Sequence, residues 1–358
     1  MHFNLDWAFQ YSRPQATARI KQQTADFQVE EVLGFEPELE PKGQHHWLWV
    51  RKQGLNTEFV ARQLASYASI PAKLVSFSGL KDRQAITRQW FSVELNATQE
   101  IDWSGFEYPG IDIERHVRSG RKLRRGTHQA NDFTLVLRDV SAPQEVEQRL
   151  AEVVKHGVPN YYGEQRFGHA GRNLEQAQAM FDGKRIKDRN LRSIVLSSAR
   201  SYVFNQVVSD RLAQQLNNQL LLGDVCMLRG SHSFFCWQDE LTRAETEARL
   251  VQGDVQLTAP LWGRGNPLSQ LDAEIFESAS LAPYDGFKQG LERAGLKQER
   301  RALQLRPENF TWQWQEAQLT LAFRLPTGTF ATSVLRELVQ VESASLSERS
   351  NDEHTVKQ

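Results

Sequence analysis

The chain has 358 residues, with 43 Lys plus Arg against 44 Asp plus Glu and a net charge of −1. That length supports two domains, or one domain with a large insertion, and a core that needs neither disulfides nor metals to fold. The charge balance excludes a globally cationic, histone-like binder but leaves room for a local phosphate-binding patch. Cys226 and Cys236 fit no Cys-x-x-Cys spacing, so structural zinc is not expected, and two thiols are too few for a disulfide framework. They are expected as ordinary buried or half-buried side chains. The N-terminal Met1–Asp6 shows no basic-then-apolar leader, and no stretch approaches the ~20 apolar residues of a membrane helix. The expectation is a soluble cytoplasmic protein.

In chain order, Phe27 and Val29 alternate with Asp26, Gln28 and Glu30, as on a half-buried strand. Trp47–Val50 is a second strand candidate. Asn56 or Thr57 then caps a helix that places Val60, Leu64 and Tyr67 on one side. Val75–Phe77 leads into a turn at Gly79, and Thr87–Val93 and Phe133–Leu137 again read as strands. After Pro143, the positions Val146, Leu150, Val153 and Val154 mark a helix ending near Gly157. Further helices are predicted over Leu174–Met180 and Ala199–Leu220, and a strand over Leu319–Phe323. The parse is an α+β domain interrupted by a middle section, Gly157 to Arg301. The polar stretch from Val341 to Gln358 is expected as a disordered tail.

The segment Arg115 to His128 carries six cations, Arg115, Arg118, Arg121, Lys122, Arg124 and Arg125, with no acid between Arg115 and Asn131. It reads either as a solvated loop or as a phosphate-binding one, whose affinity would fall steeply with salt. A second basic group, Lys184–Arg192, reads as solvated surface. Phe27 and Phe330 offer base-stacking surfaces, although pattern alone places both in a core.

Gly79-Leu80-Lys81-Asp82-Arg83 puts one carboxylate between two cations just after the strand signal Val75–Phe77. By itself this pattern describes a turn aspartate in a surface ion pair. As a residue type, an ionised carboxylate on a strand-end loop also suits a nucleophile or a base. No phosphate-binding P-loop, His-Glu-x-x-His or Gly-x-Ser-x-Gly motif competes with it, and His45-His46 lacks further ligands and is expected at the surface.

Several of these segments together resemble tRNA pseudouridine synthase D, the TruD family. Gly79–Ala85 with Thr87–Trp90 resembles its catalytic segment, and Lys21 with Asp26–Glu31 its N-terminal motif. Gly54–Thr57 resembles the family's helix start, and Arg121–Gly126 with Asn131–Phe133 its basic-loop motif. Val158–Gly168 resembles the opening of its inserted domain, and Leu325–Ser333 its C-terminal motif. Ala130 departs from the glycine expected before Asn131. The resemblance covers nearly all of the chain to about Leu338, in the family's order.

It implies a pseudouridine synthase fold, a mixed and mainly antiparallel sheet flanked by helices. The catalytic domain would comprise residues 1–156 and 302–340, with an inserted α/β domain at 157–301 and the tail at 341–358. It also implies an isomerase that converts uridine to pseudouridine in tRNA, at uridine 13 of the D-arm, without metal or cofactor. Asp82 would be the catalytic carboxylate. Phe27, Asn131, Phe330 and Lys21 would hold the target nucleotide. Arg115, Arg118, Arg121, Lys122, Arg124, Arg125 and Arg166 would contact the RNA backbone. The implied partner is tRNA, with no membrane and no obligate protein partner, the chain acting as a monomer. Two alternatives use the same residues differently: a non-catalytic RNA-binding or tRNA-folding protein on this fold, and a carboxylate-based nucleoside glycosidase.

Overall fold

The computed structural model describes residues 3–96, 99–231 and 233–342. The first part of the chain contributes β1 (Thr17–Arg19), β2 (Phe27–Val32), β3 (His45–Gln53), α1 (Thr57–Tyr67), β4 (Val75–Phe77), β5 (Ile86–Glu94), β6 (Ile111–Ser119) and β7 (Ala130–Leu137). Helix α2 (Pro143–His156) leads into a helical middle section. This holds β8 (Val158–Pro159), α3 (Arg172–Phe181), α4 (Arg189–Ala213), β9 (Val225–Leu228), β10 (Phe234–Cys236), α5 (Arg243–Gln252), β11 (Val255–Leu261), α6 (Leu271–Leu281), α7 (Asp285–Arg293), β12 (Glu299–Ala302) and β13 (Gln304–Leu305). The chain ends with β14 (Glu308–Gln315), β15 (Gln318–Pro326), α8 (Ala331–Leu338) and β16 (Gln340–Glu342).

Two compact units result. One comprises, among the described residues, 15–96, 99–148, 307–328 and 338–342. Its sheet runs β14-β15-β7-β2-β5-β3-β6, with β4 also paired to β5. Every pair in this sheet is antiparallel except β2 with β5. Period-2 alternation explains the strands: Leu48 and Val50 of β3 and Phe91 and Val93 of β5 face a core shared with Val60 and Leu64 of α1. Tyr67, expected on that same side, lies at the margin of this core, 40% exposed, with its ring against Trp103 and edge-on to Phe106. Ala130 adopts regular strand backbone in β7, paired to Val32 and Pro326, so the missing glycine changes nothing there.

The other unit comprises residues 1–14, 149–306 and 329–337. An antiparallel sheet, β10-β9-β11-β12, packs with helices around Phe167, Tyr202, Phe204 and Phe287. Residues 1–14 cluster here, and not with the large sheet, because Trp7 is buried against Tyr161, Phe167 and Tyr202. Residues 329–337 do so because Phe330 packs on Tyr162 and Ser333 donates to the Tyr161 carbonyl. Helix α4 begins ten residues before the expected Ala199, capped by Asp188, whose side chain accepts from the Leu191 N–H. Cys226 is buried and Cys236 half-buried, on adjacent strands. Val341 and Glu342, expected as the start of a tail, pair parallel to Ala18 and Arg19; the rest of that expected tail lies outside the described residues. No helix among the described residues is long and apolar enough to cross a membrane.

Candidate active site

Strand β4 ends at Phe77, and the loop that follows carries Asp82 before β5 begins. Buried polar groups fix this loop along its length. The Ser78 hydroxyl accepts from the His128 N–H and bonds the His128 ring Nδ1 at 2.6 Å. Gln89 Nε2 donates to the Gly79 carbonyl, and the Thr57 hydroxyl bridges the Lys81 N–H and Gln89 Oε1. At Gly79 a Cβ would come within 3.0 Å of the His128 ring, which leaves little room for a larger residue. Lys52 Nζ donates to the carbonyls of Leu55 and Asp82 at 2.9 and 2.8 Å.

Under the loop, Lys81 Nζ meets Glu31 Oε2 at 3.1 Å, both side chains almost entirely removed from water. Glu31 also accepts from the Trp90 N–H. Burial raises the Glu31 pKa against the pull of Lys81, and burial lowers the Lys81 pKa against the pull of Glu31. Lys52 is pushed down to about 8, mainly by burial, with the Asp82 charge opposing and Lys81 adding. His128 is pushed down to about 4 by burial and by Lys81. The Asp82 carboxylate thus projects from an anchored backbone.

Its side chain is 41% exposed, and its Oδ2 lies 3.3 Å from Lys21 Nζ. Lys21 has a left-handed backbone, φ 55°, a conformation that costs a non-glycine residue energy and often marks a functional position. The same Nζ stands 4.0 Å from the centre of the Phe27 ring. Phe27 is 4% exposed, its ring covered by Lys21 and by Phe133. On β7, Asn131 lies opposite Glu31 of β2 and Leu325 of β15. Its Oδ1 is buried and has no hydrogen-bond partner among the described residues. An acceptor left unmet in this way costs ~1–3 kcal/mol, and a ligand donor would recover it.

Lys21, Phe27, Asn131 and Asp82 therefore belong to one unit. Phe330 and Arg166 belong to the other. There Phe330 is half-buried with its ring 5.8 Å from Tyr162, and the Arg166 guanidinium lies over both rings while donating to the Ser197 hydroxyl.

The expected basic loop is strand up to Ser119, because β6 pairs along β3 through Arg115 and Arg118. Most of its cations are already matched. Arg115 meets Glu36, Arg118 meets Glu100, Arg121 stands 3.6 Å from Glu38, and Lys122 meets Glu94. Arg124 and Arg125 have no acidic partner among the described residues, and Arg125 covers the Phe77 ring at 4.1 Å. The Lys184–Arg192 group is solvated, as expected, with all but Ile186 exposed.

Nothing in the sequence marks Lys52, Gln89 or His128 as a support of the Asp82 loop, Thr57 reads there only as part of a helix start, and His46 reads as a surface residue. His46 is fully buried, its ring stacked on His116 and accepting from the Trp103 indole. Period 2 along β3 held the signal: positions 46, 48, 50 and 52 share the core-facing side of the strand.

A family model of tRNA pseudouridine synthase D (TruD) matches residues 7–177 and 171–338. The tRNA pseudouridine synthase D of Aeromonas hydrophila is 50% identical over 337 residues, 94% of this chain and 95% of the relative. That of Aeromonas salmonicida is 52% identical over 331 residues, 92% of this chain and 93% of the relative. A crystal structure from Methanosarcina mazei, assigned as tRNA pseudouridine synthase D, superposes with a TM-score of 0.74 at 20% identity, covering 95% of this chain and 97% of its own; at that identity the likeness speaks for the fold. This α+β chain belongs to the tRNA pseudouridine synthase D family.

Proposed function

We propose that this chain isomerises uridine to pseudouridine in tRNA, at uridine 13 of the D-arm, with Asp82 as the catalytic carboxylate and no cofactor. The observation that carries this reading is the Asp82 carboxylate itself, water-accessible, 3.3 Å from Lys21 and mounted on a loop pinned by buried polar groups. The names of the relatives, matched over nearly the whole chain, support tRNA as the substrate class.

The isomerisation breaks the N1–C1′ bond of uridine and forms C5–C1′; C5 loses a proton and N1 gains one. No electrons are exchanged with a partner. Asp82 can attack C1′, add to the base or remove a sugar proton, and each route requires the nucleotide to leave its stack at a cost of a few kcal/mol. Lys21 orients the carboxylate, and Asn131 Oδ1 accepts a donor from the flipped nucleotide. Phe27 supplies stacking surface once Lys21 shifts onto the ligand. Phe330 is assigned to the nucleotide by its motif alone. Arg124 and Arg125 are the first phosphate ligands, while Arg115, Arg118, Arg121 and Lys122 reach phosphate by exchanging their carboxylate partners. Arg166 contacts the backbone from its own unit.

Purified protein without added cofactor is expected to convert one uridine in a tRNA transcript, mapped to position 13. Asp82→Asn should lower kcat by at least ~10³-fold while tRNA still binds. Undiminished turnover by Asp82→Asn would falsify the assignment. Free uracil in the products would identify a glycosidase. Equal rescue of a tRNA-folding defect by wild type and Asp82→Asn would identify a non-catalytic RNA binder.

A further inference from the structure

The segment after β2 and the turn after β6 enclose a groove of about 520 Å³, within the ~300–1,000 Å³ range of small-ligand sites. Its inner wall is Trp47, held in place by its indole N–H donating to the Arg121 carbonyl at 2.7 Å. Phe35 stands edge-on to Trp47, ring centres 6.4 Å apart, and is 49% exposed, so a large aromatic surface faces solvent. Arg121, Lys122 and Arg124 supply the charge along the rim. Glu38 and Glu94 sit opposite Arg121 and Lys122, in exposed pairs that contribute ~0–1 kcal/mol and exchange readily for a phosphate. The turn is joined directly to the loop bearing Asp82: Gly126 N–H donates to the Ser78 carbonyl, and His128 N–H to the Ser78 hydroxyl.

Exposed aromatic surface beside Arg124, which has no acidic partner among the described residues, and beside the weakly paired Arg121 and Lys122 is the chemistry of unpaired nucleic acid, in which the base stacks and the phosphate takes the guanidinium. The apolar surface here is confined to Phe35, Pro37 and Trp47, far short of the ~800 Å² per partner that a stable protein interface buries, and a free small anion would have no use for Phe35. Taking tRNA as the substrate class from the reading above, we infer that this groove binds a second, unpaired nucleotide of the RNA. Its base stacks on Phe35 and its phosphate sits on Arg121 and Arg124. The subsite selects RNAs in which an unpaired residue accompanies the target uridine, and so acts on recognition, not on the reacting bonds.

Fluorescein-labelled hexauridylate provides the binding probe, measured by anisotropy in the full-length Asp82→Asn protein so that no chemistry intervenes. Adding Phe35→Ala should weaken binding roughly 5- to 150-fold, the value of one stacked base, without altering the slope of log K against log salt. Adding Arg124→Ala should weaken binding and make that slope shallower by about 0.7, one phosphate contact on a single strand. In otherwise wild-type protein, Phe35→Ala should raise KM for a tRNA transcript by a much larger factor than it lowers kcat. Binding and KM within twofold of the parent for both variants, with melting temperatures unchanged, overturn the groove. If wild type leaves tRNA unmodified, the proposed activity falls instead, and the hexauridylate arms still decide the groove.

Discussion

At the scale of single residues, Lys52 states the site's design most directly. Its ammonium is shut away from water with two backbone carbonyls as its hydrogen-bond acceptors, one of them that of Asp82. Removing a charge from water is costly, and an apolar residue of similar volume often serves a core equally well. Lys52→Met is therefore expected to keep stability within about 2 kcal/mol, since it trades the burial penalty against two unmet carbonyls. Without that tie the Asp82 backbone loosens, and kcat should fall ~10–100-fold with KM changed far less. Steady-state kinetics alongside thermal melts separate this from a purely structural role, which would move the melt and spare kcat. The pH dependence gives a second readout. Folded Lys52 releases its proton near 8 and unfolded Lys52 near 10.5, so between those values the unfolded chain binds more protons and stability rises with pH. In Lys52→Met that rise should shrink. Asn131 makes the converse point: its unmet Oδ1 weakens the fold, so Asn131→Ala should leave stability unchanged or raise it by up to ~1–3 kcal/mol, and raise KM for tRNA.

At the scale of elements, β3 buries a histidine as well as a lysine. His46 is pushed down to about 4 by burial, by His116 and by Arg118, and His128 by burial and Lys81. Both are neutral when folded at pH 6, whereas the unfolded side chains take up protons below about 6.5. The stability these rings permit is full above 6.5 and is lost as pH falls toward 4. Urea unfolding at pH 7 and pH 5 should show this loss, and His46→Gln, which still offers Trp103 an acceptor, should reduce it; an unchanged loss would sink the role given to His46. The same strand marks how far the sequence could be read. Alternation places Leu48 and Val50 in the core, and continuing it to 46 and 52 finds the two polar residues that polarity alone sends to the surface. The position of Asp82 on a loop after β4 was legible because the strand and turn signals around it are local and contiguous. Its supports were not: Lys52 is 30 residues away, Glu31 is 50 residues from Lys81, and His128 is 50 from Ser78. Pairings over such separations are made by the antiparallel β3–β5, parallel β2–β5 and antiparallel β2–β7 register, which no local pattern encodes.

At the scale of the whole molecule, a net charge of −1 means that RNA affinity must come from local fields, because the protein as a whole offers a polyanion no attraction. The six cations between Arg115 and Arg125 suggest a large patch, yet Glu36, Glu38, Glu94 and Glu100 neutralise four of them from other segments. Two of these acids, Glu36 and Glu38, lie on the segment that also presents Phe35, and both are exposed. If Arg115 and Arg121 contact the RNA backbone as proposed, these acids compete with phosphate for them. A phosphate that displaces a carboxylate gains less than one that meets a bare guanidinium. The salt dependence of binding should therefore be shallower than six contacts would give, since each full contact adds ~0.7–0.9 to the slope of log K against log salt. Glu36→Gln with Glu38→Gln frees two guanidiniums at once. That double variant is expected to bind tRNA several-fold more tightly at low salt and to steepen the slope by about 1–2. Nitrocellulose-filter binding across a salt series measures both quantities. An unchanged slope would mean that Arg115 and Arg121 meet no phosphate, leaving Arg118, Lys122, Arg124 and Arg125 as the cations on this segment that can.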